Sequence, residues 1–199
     1  DKAYSPFSEQ PELKNLRFGI FDDSFMCKGH DGYNRDCWSF FGRDRYIDAP
    51  TGGEFSYGSA YDQKHCLDAK GLHGRVFEDE AAKYHLTYIL ANDQPEYQKP
   101  SRFKEASMCT GYRFAIADLR VKDNTAAICI FNTGTAPIYR DAYVSVNGVR
   151  SGWSLRQLMP GNYRWIEITG ESIQPGSCAV AIECDHLVPG QHIQFEAAF

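Results

Sequence analysis

Acidic side chains follow two short apolar segments near the start of the chain, an arrangement that suits glycosidic-bond hydrolysis. Asp22 and Asp23 come directly after a predicted strand at residues 18–21, and Glu54 follows a predicted strand at residues 46–49 and a Gly-Gly turn. Barrel enzymes place catalytic groups at the carboxyl ends of strands, and glycoside hydrolysis uses a pair of carboxylates. We therefore expect Asp22 and Glu54 to be the catalytic pair. The alternative is that these acids only cap turns, as Asp commonly does.

The expected distance between the two acids also fits this chemistry. The carboxyl ends of parallel strands meet at one edge of a sheet, and neighbouring strands lie about 4.8 Å apart. Carboxyl groups sit about 5–5.5 Å apart in retaining glycosidases and about 6.5–9.5 Å apart in inverting ones. We therefore expect Asp22 and Glu54 to open into one shared pocket, in which the Gly52-Gly53 turn lets a substrate approach the backbone.

Residues 26–46 are predicted to form a long loop rich in aromatic and polar side chains. Aromatic rings beside polar groups suit sugars, which present an apolar CH face and a rim of hydroxyls. Candidate substrate-binding residues in this loop are Asp31, Tyr33 and Trp38. The alternative is that the rings form a small core under the loop.

Helical spacing of apolar residues predicts a helix over residues 75–91, with acids in its first turns. His85 and Tyr88 lie one turn apart on this helix and complete the set of candidate substrate-binding residues. A lone helical His is more often a structural residue that is already hydrogen-bonded, so that interpretation stays open for His85. A shorter helix is predicted over residues 101–107.

Composition excludes several classes of partner and ligand. The chain of 199 residues has a net charge of −5, which argues against nucleic acid and anionic membranes. No apolar run approaches the roughly 20 residues of a membrane span. The seven cysteines contain no CxxC pair, so no metal site is expected, and no cofactor is indicated. Cys27 and Cys37 could pair if the protein is exported, whereas Cys129 and Cys178 are predicted to be buried free thiols.

The second half of the chain reads as short strands separated by turns. Alternation or continuous apolar character predicts six strands, and Asn147-Gly148 is a strong hairpin signal. The predicted strands cover residues 112–119, 126–131, 142–146, 163–168, 178–183 and 192–197. We therefore expect two regions of mixed α/β and all-β class: an α/β segment over residues 1–110 and an antiparallel β-sandwich over residues 111–199.

An ordered series of motifs gives the chain a resemblance. The motifs are FGIFDDSF, PTGGE, HLTY, GYRF, FNTGTAPIY, LRQLMPGNY and PGSCAVAIEC followed by VPGQHIQFEA. Together they resemble an uncharacterised bacterial family, a domain of unknown function that usually follows a second such domain. The two domains together are similar to a glycosidase-like (β/α)8 barrel followed by a β-sandwich.

The resemblance implies that residues 1–110 are the last part of a barrel, completed by a preceding segment or a partner chain. It implies a secreted, periplasmic or cell-surface protein that is glycoside hydrolase-like and acts on or binds a poly- or oligosaccharide. The alternative function is a non-catalytic carbohydrate-binding or cell-surface interaction module, in which the acids are structural. A scaffold within a larger assembly is a third hypothesis.

Overall fold

A computed structural model describes residues 10–196 of the chain, which divides after Gly111 into two compact units. The first unit has few and short helices around one parallel sheet, and the second contains antiparallel sheets. Each unit has a hydrophobic core made of its own residues. None of the helices within residues 10–196 is long and apolar enough to cross a membrane.

The first unit is built on a three-stranded parallel sheet with β2 at its centre. Its strands are β1 (Phe21–Phe25), β2 (Thr51–Phe55) and β3 (Leu86–Leu90). The crossovers contain α1 (His30–Phe41), α2 (Ala60–His65) and α3 (Phe77–Lys83), and α4 (Gln94–Tyr97) and α5 (Pro100–Met108) follow. The helix predicted over residues 101–107 is thus confirmed as α5. Among the described residues the three strands do not close into a barrel.

Both strands predicted for the start of the chain are wrong in position. β1 begins where its prediction ended, and residues 45–47 form a 3-10 helix, so that the second strand starts only at Thr51. Asp22 consequently lies inside β1. Its carboxylate accepts hydrogen bonds from the backbone N–H of Ser24 at 2.9 Å and from Asn34 Nδ2 at 2.5 Å. These bonds satisfy an acid within a strand, where Asp is otherwise disfavoured.

The long loop predicted over residues 26–46 is also wrong, because its centre forms the twelve-residue helix α1. Gly32, Asn34 and Asp36 are weak helix formers and hide the helix in the sequence. Its inner side carries Trp38, whose ring packs edge-on against Tyr84 at a centroid distance of 4.7 Å. Tertiary packing of one aromatic side chain therefore stabilises a helix that local propensity does not predict.

The helix predicted over residues 75–91 ends early. α3 covers Phe77–Lys83, His85 adopts a left-handed conformation with φ 52°, and the chain continues as β3. The run Leu-Thr-Tyr-Ile-Leu is rich in β-branched and aromatic residues, which favour a strand. A short apolar run fits both periodicities, and here the strand is the correct assignment.

Within residues 112–196, the second unit contains six strands that form two three-stranded antiparallel sheets. The strands are β4 (Phe114–Lys122), β5 (Thr125–Asn132), β6 (Tyr143–Val146), β7 (Val149–Ser154), β8 (Tyr163–Thr169) and β9 (Val180–Glu183). One sheet has the order β4-β5-β8 and the other β7-β6-β9. Side chains of both sheets pack into one core, in which Ile128 and Ile166 come from the first sheet and Val144 and Ile182 from the second.

Most of the strands predicted for this unit are confirmed. The Asn147-Gly148 turn joins β6 and β7, and both residues have positive φ, as the tight hairpin requires. β7 was not predicted, because its Arg, Ser and Gly residues blur the alternation. Within the predicted strand 192–197, Ile193 and Glu196 form isolated bridges only, and Ala197 lies outside the described residues.

Of the two cysteines predicted to be buried, Cys129 is buried, and desolvation raises the pKa of its thiol. Cys178 is only half-buried, so that prediction is wrong. Cys178 precedes β9, which begins at Val180, and therefore lies outside the sheet. Both residues are free thiols, as are Cys27 and Cys37.

Asn132 at the end of β5 holds together three segments of the second unit. Its fully buried side chain donates to the carbonyls of Ala136 at 3.1 Å and Leu158 at 3.0 Å. Its Oδ1 accepts from the backbone N–H groups of Arg113 at 3.3 Å and Gly134 at 3.0 Å. All four hydrogen-bonding positions of the amide are therefore used.

We predict that Asn132→Ala lowers the free energy of unfolding of this unit by about 3 kcal/mol or more. The reason is that each buried group left without a partner costs about 1–3 kcal/mol. Chemical denaturation monitored by circular dichroism measures this loss. Asn124→Ala is the matched control, since Asn124 is exposed in the β4–β5 turn, and we expect it to change stability by less than about 0.5 kcal/mol. Equal effects of the two substitutions would contradict the assigned role of Asn132.

Candidate functional site

One face of the parallel sheet in the first unit carries exposed aromatic side chains and an acid. We call it the open face and define it by Phe21, Gly52, Glu54, Tyr88 and Leu90. The strand register pairs Phe21 and Tyr88 with Gly52, and Glu54 with Leu90. Phe21, Tyr88 and Leu90 are 43%, 42% and 47% exposed.

The opposite face of the sheet is covered by the hydrophobic core. Phe25 and Phe55 point to this side and are 1% exposed, and both contact the ring of Phe77 in α3. The sheet therefore has one dry face and one accessible face, so a ligand of this sheet has to bind on the open face or at its edges.

Irregularities in the two outer strands decide which side chains reach the open face. In β3, Leu86 pairs with Thr51 but Tyr88 pairs with Gly52, so β3 has one extra residue at Thr87. Leu86 is thereby buried in the core while Tyr88 projects to the other side. β1 has a similar shift between Asp22 and Phe25. Bulges of this kind re-aim side chains and are common near active sites.

Gly52 and Gly53 were predicted to form a turn that admits a substrate, but both lie inside β2. A Cβ at Gly52 would lie 2.3 Å from the ring of Tyr88, and one at Gly53 would lie 2.8 Å from the carbonyl oxygen of Asp22. The missing side chains therefore make room for the neighbouring strands. Because Gly52 has no side chain, the Tyr88 ring lies directly above the backbone of β2.

We predict that Gly52→Ala displaces the Tyr88 ring and lowers the free energy of unfolding by about 1–3 kcal/mol, as overpacking does. Thermal unfolding and tyrosine near-ultraviolet circular dichroism measure the two effects. Gly32→Ala in α1 is the control, because the nearest atom to its Cβ is at 3.8 Å and Ala favours a helix. An unchanged Tyr88 signal in Gly52→Ala would show that the close contact does not hold the ring.

The prediction of one pocket shared by Asp22 and Glu54 is wrong. Asp22 pairs with Gly53 and Glu54 with Leu90, so their side chains alternate to opposite faces of the sheet. The cavity beside Asp22 is also lined by Asn34 and Trp38 but not by Glu54. Its volume of about 20 Å³ is enough for one water molecule and far too small for a sugar ring. Asp22 is thus in a structural position.

Glu54 is placed differently. It is half-buried near the carboxyl end of β2, and its carboxylate forms no hydrogen bond or ion pair with any other described residue. The rings of Phe21 and Tyr88 lie beside it, with their centroids 6.3 Å apart and their planes tilted by 34°. The open face therefore combines two exposed rings with one uncommitted acid.

Two of the three candidates from the predicted loop, Tyr33 and Trp38, do not converge on the open face. Tyr33 is 72% exposed on α1, whereas Trp38 is buried in the core. Five residues separate them, so they point in different directions from the helix. The backbone of Asp31 belongs to α1, and its side chain lies outside the described part of the chain.

His85 lies at the wrong end of the sheet for the predicted site. It directly precedes β3 and stacks on the ring of Tyr46, with a centroid distance of 3.6 Å and an interplanar angle of 14°. Glu54 and Leu90 lie towards the carboxyl ends of their strands, about 13 Å further along at 3.3 Å per residue. Of the predicted substrate-binding residues, Tyr88 is the one that shares a face with Glu54.

Two pairs of acid and histidine in the β2–β3 crossover were not foreseen. Asp62 Oδ1 lies 2.8 Å from His73 Nε2, and Asp68 Oδ2 lies 2.6 Å from His65 Nδ1. Asp62 is buried, and a buried carboxylate orients an imidazole as in general-base sites. Asp62 and His73 are eleven positions apart and follow no local spacing rule, so no sequence signal could have identified this pair.

Cys66 lies next to His65 in sequence, but its environment does not suit a nucleophile. Its side chain is 2% exposed, and its Sγ donates to the carbonyl of Gln63 at 3.4 Å. Burial raises the pKa of this thiol to about 12. Reactive cysteines have a lowered pKa, because the thiolate is the nucleophile.

We predict that iodoacetamide at pH 8 alkylates Cys66 on the order of 10³ times more slowly in the native protein than in urea, because the raised pKa leaves little thiolate. The native rate should rise about tenfold per pH unit up to about pH 11 while the protein stays folded. Peptide mass spectrometry measures each site separately. The half-buried Cys178 is the internal comparison and should react faster. Rapid native labelling of Cys66 at pH 8 would contradict its burial.

Within residues 10–196, no group of three or more His, Cys, Asp or Glu side chains is placed to hold a metal ion. A second cavity of about 220 Å³ lies between β3 and α5. Its lining is mainly apolar, including Phe55, Phe77 and Phe103, and contains no charged side chain. Its polar lining residues are Thr87, Tyr88, Ser107 and Thr110, so it offers hydroxyl groups but no carboxylate.

No protein-family model, curated protein or solved structure matches the chain. The resemblance to a glycosidase-like bacterial family therefore stays a hypothesis.

Proposed function

We propose that this chain is a carbohydrate-active protein, glycoside hydrolase-like in its first unit, that binds a poly- or oligosaccharide on the open face. The observation that carries the proposal is the uncommitted carboxylate of Glu54 beside the exposed rings of Phe21 and Tyr88. Sugar rings present CH faces that pack on aromatic rings. Their hydroxyls donate to carboxylates in strong, charge-assisted hydrogen bonds.

The architecture behind this proposal is a barrel end followed by a β-sandwich. In a (β/α)8 barrel, helices cover the outer face of a parallel sheet, and the active site lies at the carboxyl ends of the strands, the end of β2 at which Glu54 lies. The first unit has three parallel strands in neighbouring positions and one covered face, which supports such an origin. The missing strands would come from a preceding segment or a partner chain. In the second unit, the core shared by two antiparallel sheets supports a sandwich.

Hydrolysis commonly requires a second carboxyl group, which the open face alone does not supply. A glycoside hydrolase commonly uses two carboxyl groups, and Glu54 is the one acid among the five residues that define the open face. Asp22 points to the other side of the sheet. In the catalytic form of the proposal, Glu54 is therefore one of two acids, and the segment or partner that completes the barrel supplies the second.

The second candidate function is a non-catalytic carbohydrate-binding or cell-surface module. The hydrogen bonds that hold Asp22 in place favour it, because Glu54 is then the one acid of the open face that could take part in catalysis. Both forms of the proposal place the protein outside the cytoplasm, where such substrates occur. Binding is common to both, and turnover separates them.

We predict that Tyr88→Ala weakens binding to an oligosaccharide at least tenfold, because a stacking surface worth about 1.4 kcal/mol is lost. Glu54→Gln should weaken it several-fold and abolish any turnover. Isothermal titration calorimetry against a panel of oligosaccharides, with reducing-sugar assays, measures both.

Two matched controls separate the open face from the rest of the first unit. Tyr33→Ala removes an exposed ring from α1 and should leave binding unchanged. Asp22→Asn should lower the melting temperature and leave binding unchanged. If wild-type protein binds no member of the panel, or if Tyr88→Ala binds as well as wild type, the proposed function is wrong.

A further inference from the structure

The outer face of the β4-β5-β8 sheet carries a second group of exposed aromatic rings. In β8, Ile166 and Ile168 point into the core, so Tyr163 and Trp165 point away from it. They are 67% and 40% exposed. The two rings sit on the same side of one strand, about 6.6 Å apart along it. We call Tyr163, Trp165, Arg120 and Asp118 the aromatic strip.

The strand that carries the two rings is paired within the sheet, with β5 next to it and β4 beyond. Trp165 pairs with Cys129 on β5, which in turn pairs with Asp118 on β4, and Tyr163 pairs with Phe131. Cys129 is 6% exposed although it lies on the outer face, because larger neighbours cover it. The strip is therefore part of a hydrogen-bonded sheet and does not depend on a loop.

Arg120 completes the strip and is held in two ways. Its Nε donates to Asp118 Oδ2 at 2.8 Å, and its guanidinium lies 4.9 Å from the centre of the Trp165 ring. The side chain is nevertheless highly exposed. A planar donor group is thus held over one face of the Trp165 ring, which remains 40% exposed. Holding the donor group in place lowers the entropic cost of binding a ligand there.

A polar groove continues the strip towards the β4–β5 turn. It has a volume of about 350 Å³ and includes Arg120 in its lining. The other lining residues are Val121, Lys122, Asp123, Asn124, Thr125 and Ala127. Donors and acceptors of hydrogen bonds therefore follow directly after the stacking rings.

The charges on this face identify the kind of partner. Asp118 and Glu167 oppose Arg120 and Lys122 in the outward-facing positions, so the face has no net charge. Nucleic acids and anionic lipid surfaces need an excess of cations. Exposed rings beside balanced polar groups suit a neutral molecule rich in hydroxyl groups.

We propose that the aromatic strip is a binding site for a neutral polysaccharide chain. Sugar rings stack on Trp165 and Tyr163, Arg120 and Asp118 hydrogen-bond their hydroxyls, and the chain runs on into the groove. The site lies wholly on the second unit and is independent of the open face, so it goes beyond the function proposed above.

The test uses the full chain and named probes: insoluble cellulose and chitin, soluble xylan and starch, and polygalacturonate and heparin as acidic comparisons. We expect wild-type protein to bind at least one of the four neutral probes in depletion assays or affinity electrophoresis. Trp165→Ala and Tyr163→Ala should each weaken that binding at least tenfold, whereas Trp165→Phe keeps a stacking ring and should stay within about threefold.

Two controls keep the result specific. Tyr97→Ala removes an exposed tyrosine from α4, an element that contributes no residue to either site, and should bind as wild type does. Trp165 is the most exposed tryptophan, so a neutral ligand should shift the fluorescence of wild-type protein, and this shift should be lost in Trp165→Phe although binding persists.

Three results would overturn the proposal: no binding to any neutral probe, binding to the acidic probes alone, or unchanged binding in both Trp165→Ala and Tyr163→Ala. The two proposed sites remain distinguishable. Binding that is lost in Tyr88→Ala but kept in the strip variants rejects the strip and supports the open face. The reverse pattern supports the strip and rejects the open face.

Discussion

Two consecutive positions without side chains in the central strand β2 set the shape of the first unit. Above Gly52 lies the ring of Tyr88, and against Gly53 lies the carbonyl of Asp22 from the other neighbouring strand. A methyl group at Gly52 would displace the Tyr88 ring, and one at Gly53 would push β1 away from β2. The register shifts of β1 and β3 occur next to these contacts. The strand with the least side-chain volume thus determines which side chains of its neighbours reach the open face.

The fold of the second unit could be predicted better than that of the first, for a physical reason. Strands such as β8 alternate between core and solvent, and Asn147-Gly148 accepts positive φ at both turn positions, so local patterns agree with the tertiary structure. In the first unit, the run Leu86–Leu90 fits a helix or a strand equally well. Only the pairing with β2, a contact distant in sequence, decides between them.

The candidate site, too, could be predicted from the sequence only in part. Glu54 and Tyr88 were both predicted for the site, Glu54 as an acid after a strand and Tyr88 as a residue of a helix, and the structure has both on the open face. The face on which Asp22 lies was predicted wrongly. β1 is shifted by a few residues from its predicted position, and such a shift changes which side chains point towards the core. Trp38 is of a residue type common in binding sites, but it is buried in the core. Exposure depends on packing partners that are remote in sequence, and residue type does not encode it.

Asn132 has a consequence for how this protein can change over evolutionary time. Each of the four hydrogen bonds of its side chain goes to a backbone atom of another residue. Arg113 and Leu158 can therefore be replaced by other residues without breaking these bonds, as far as their own side-chain contacts allow. Asn132 itself has no substitute that offers two donors and two acceptors in the same small volume. Substitutions should therefore accumulate at the residues around Asn132, while Asn132 itself stays unchanged.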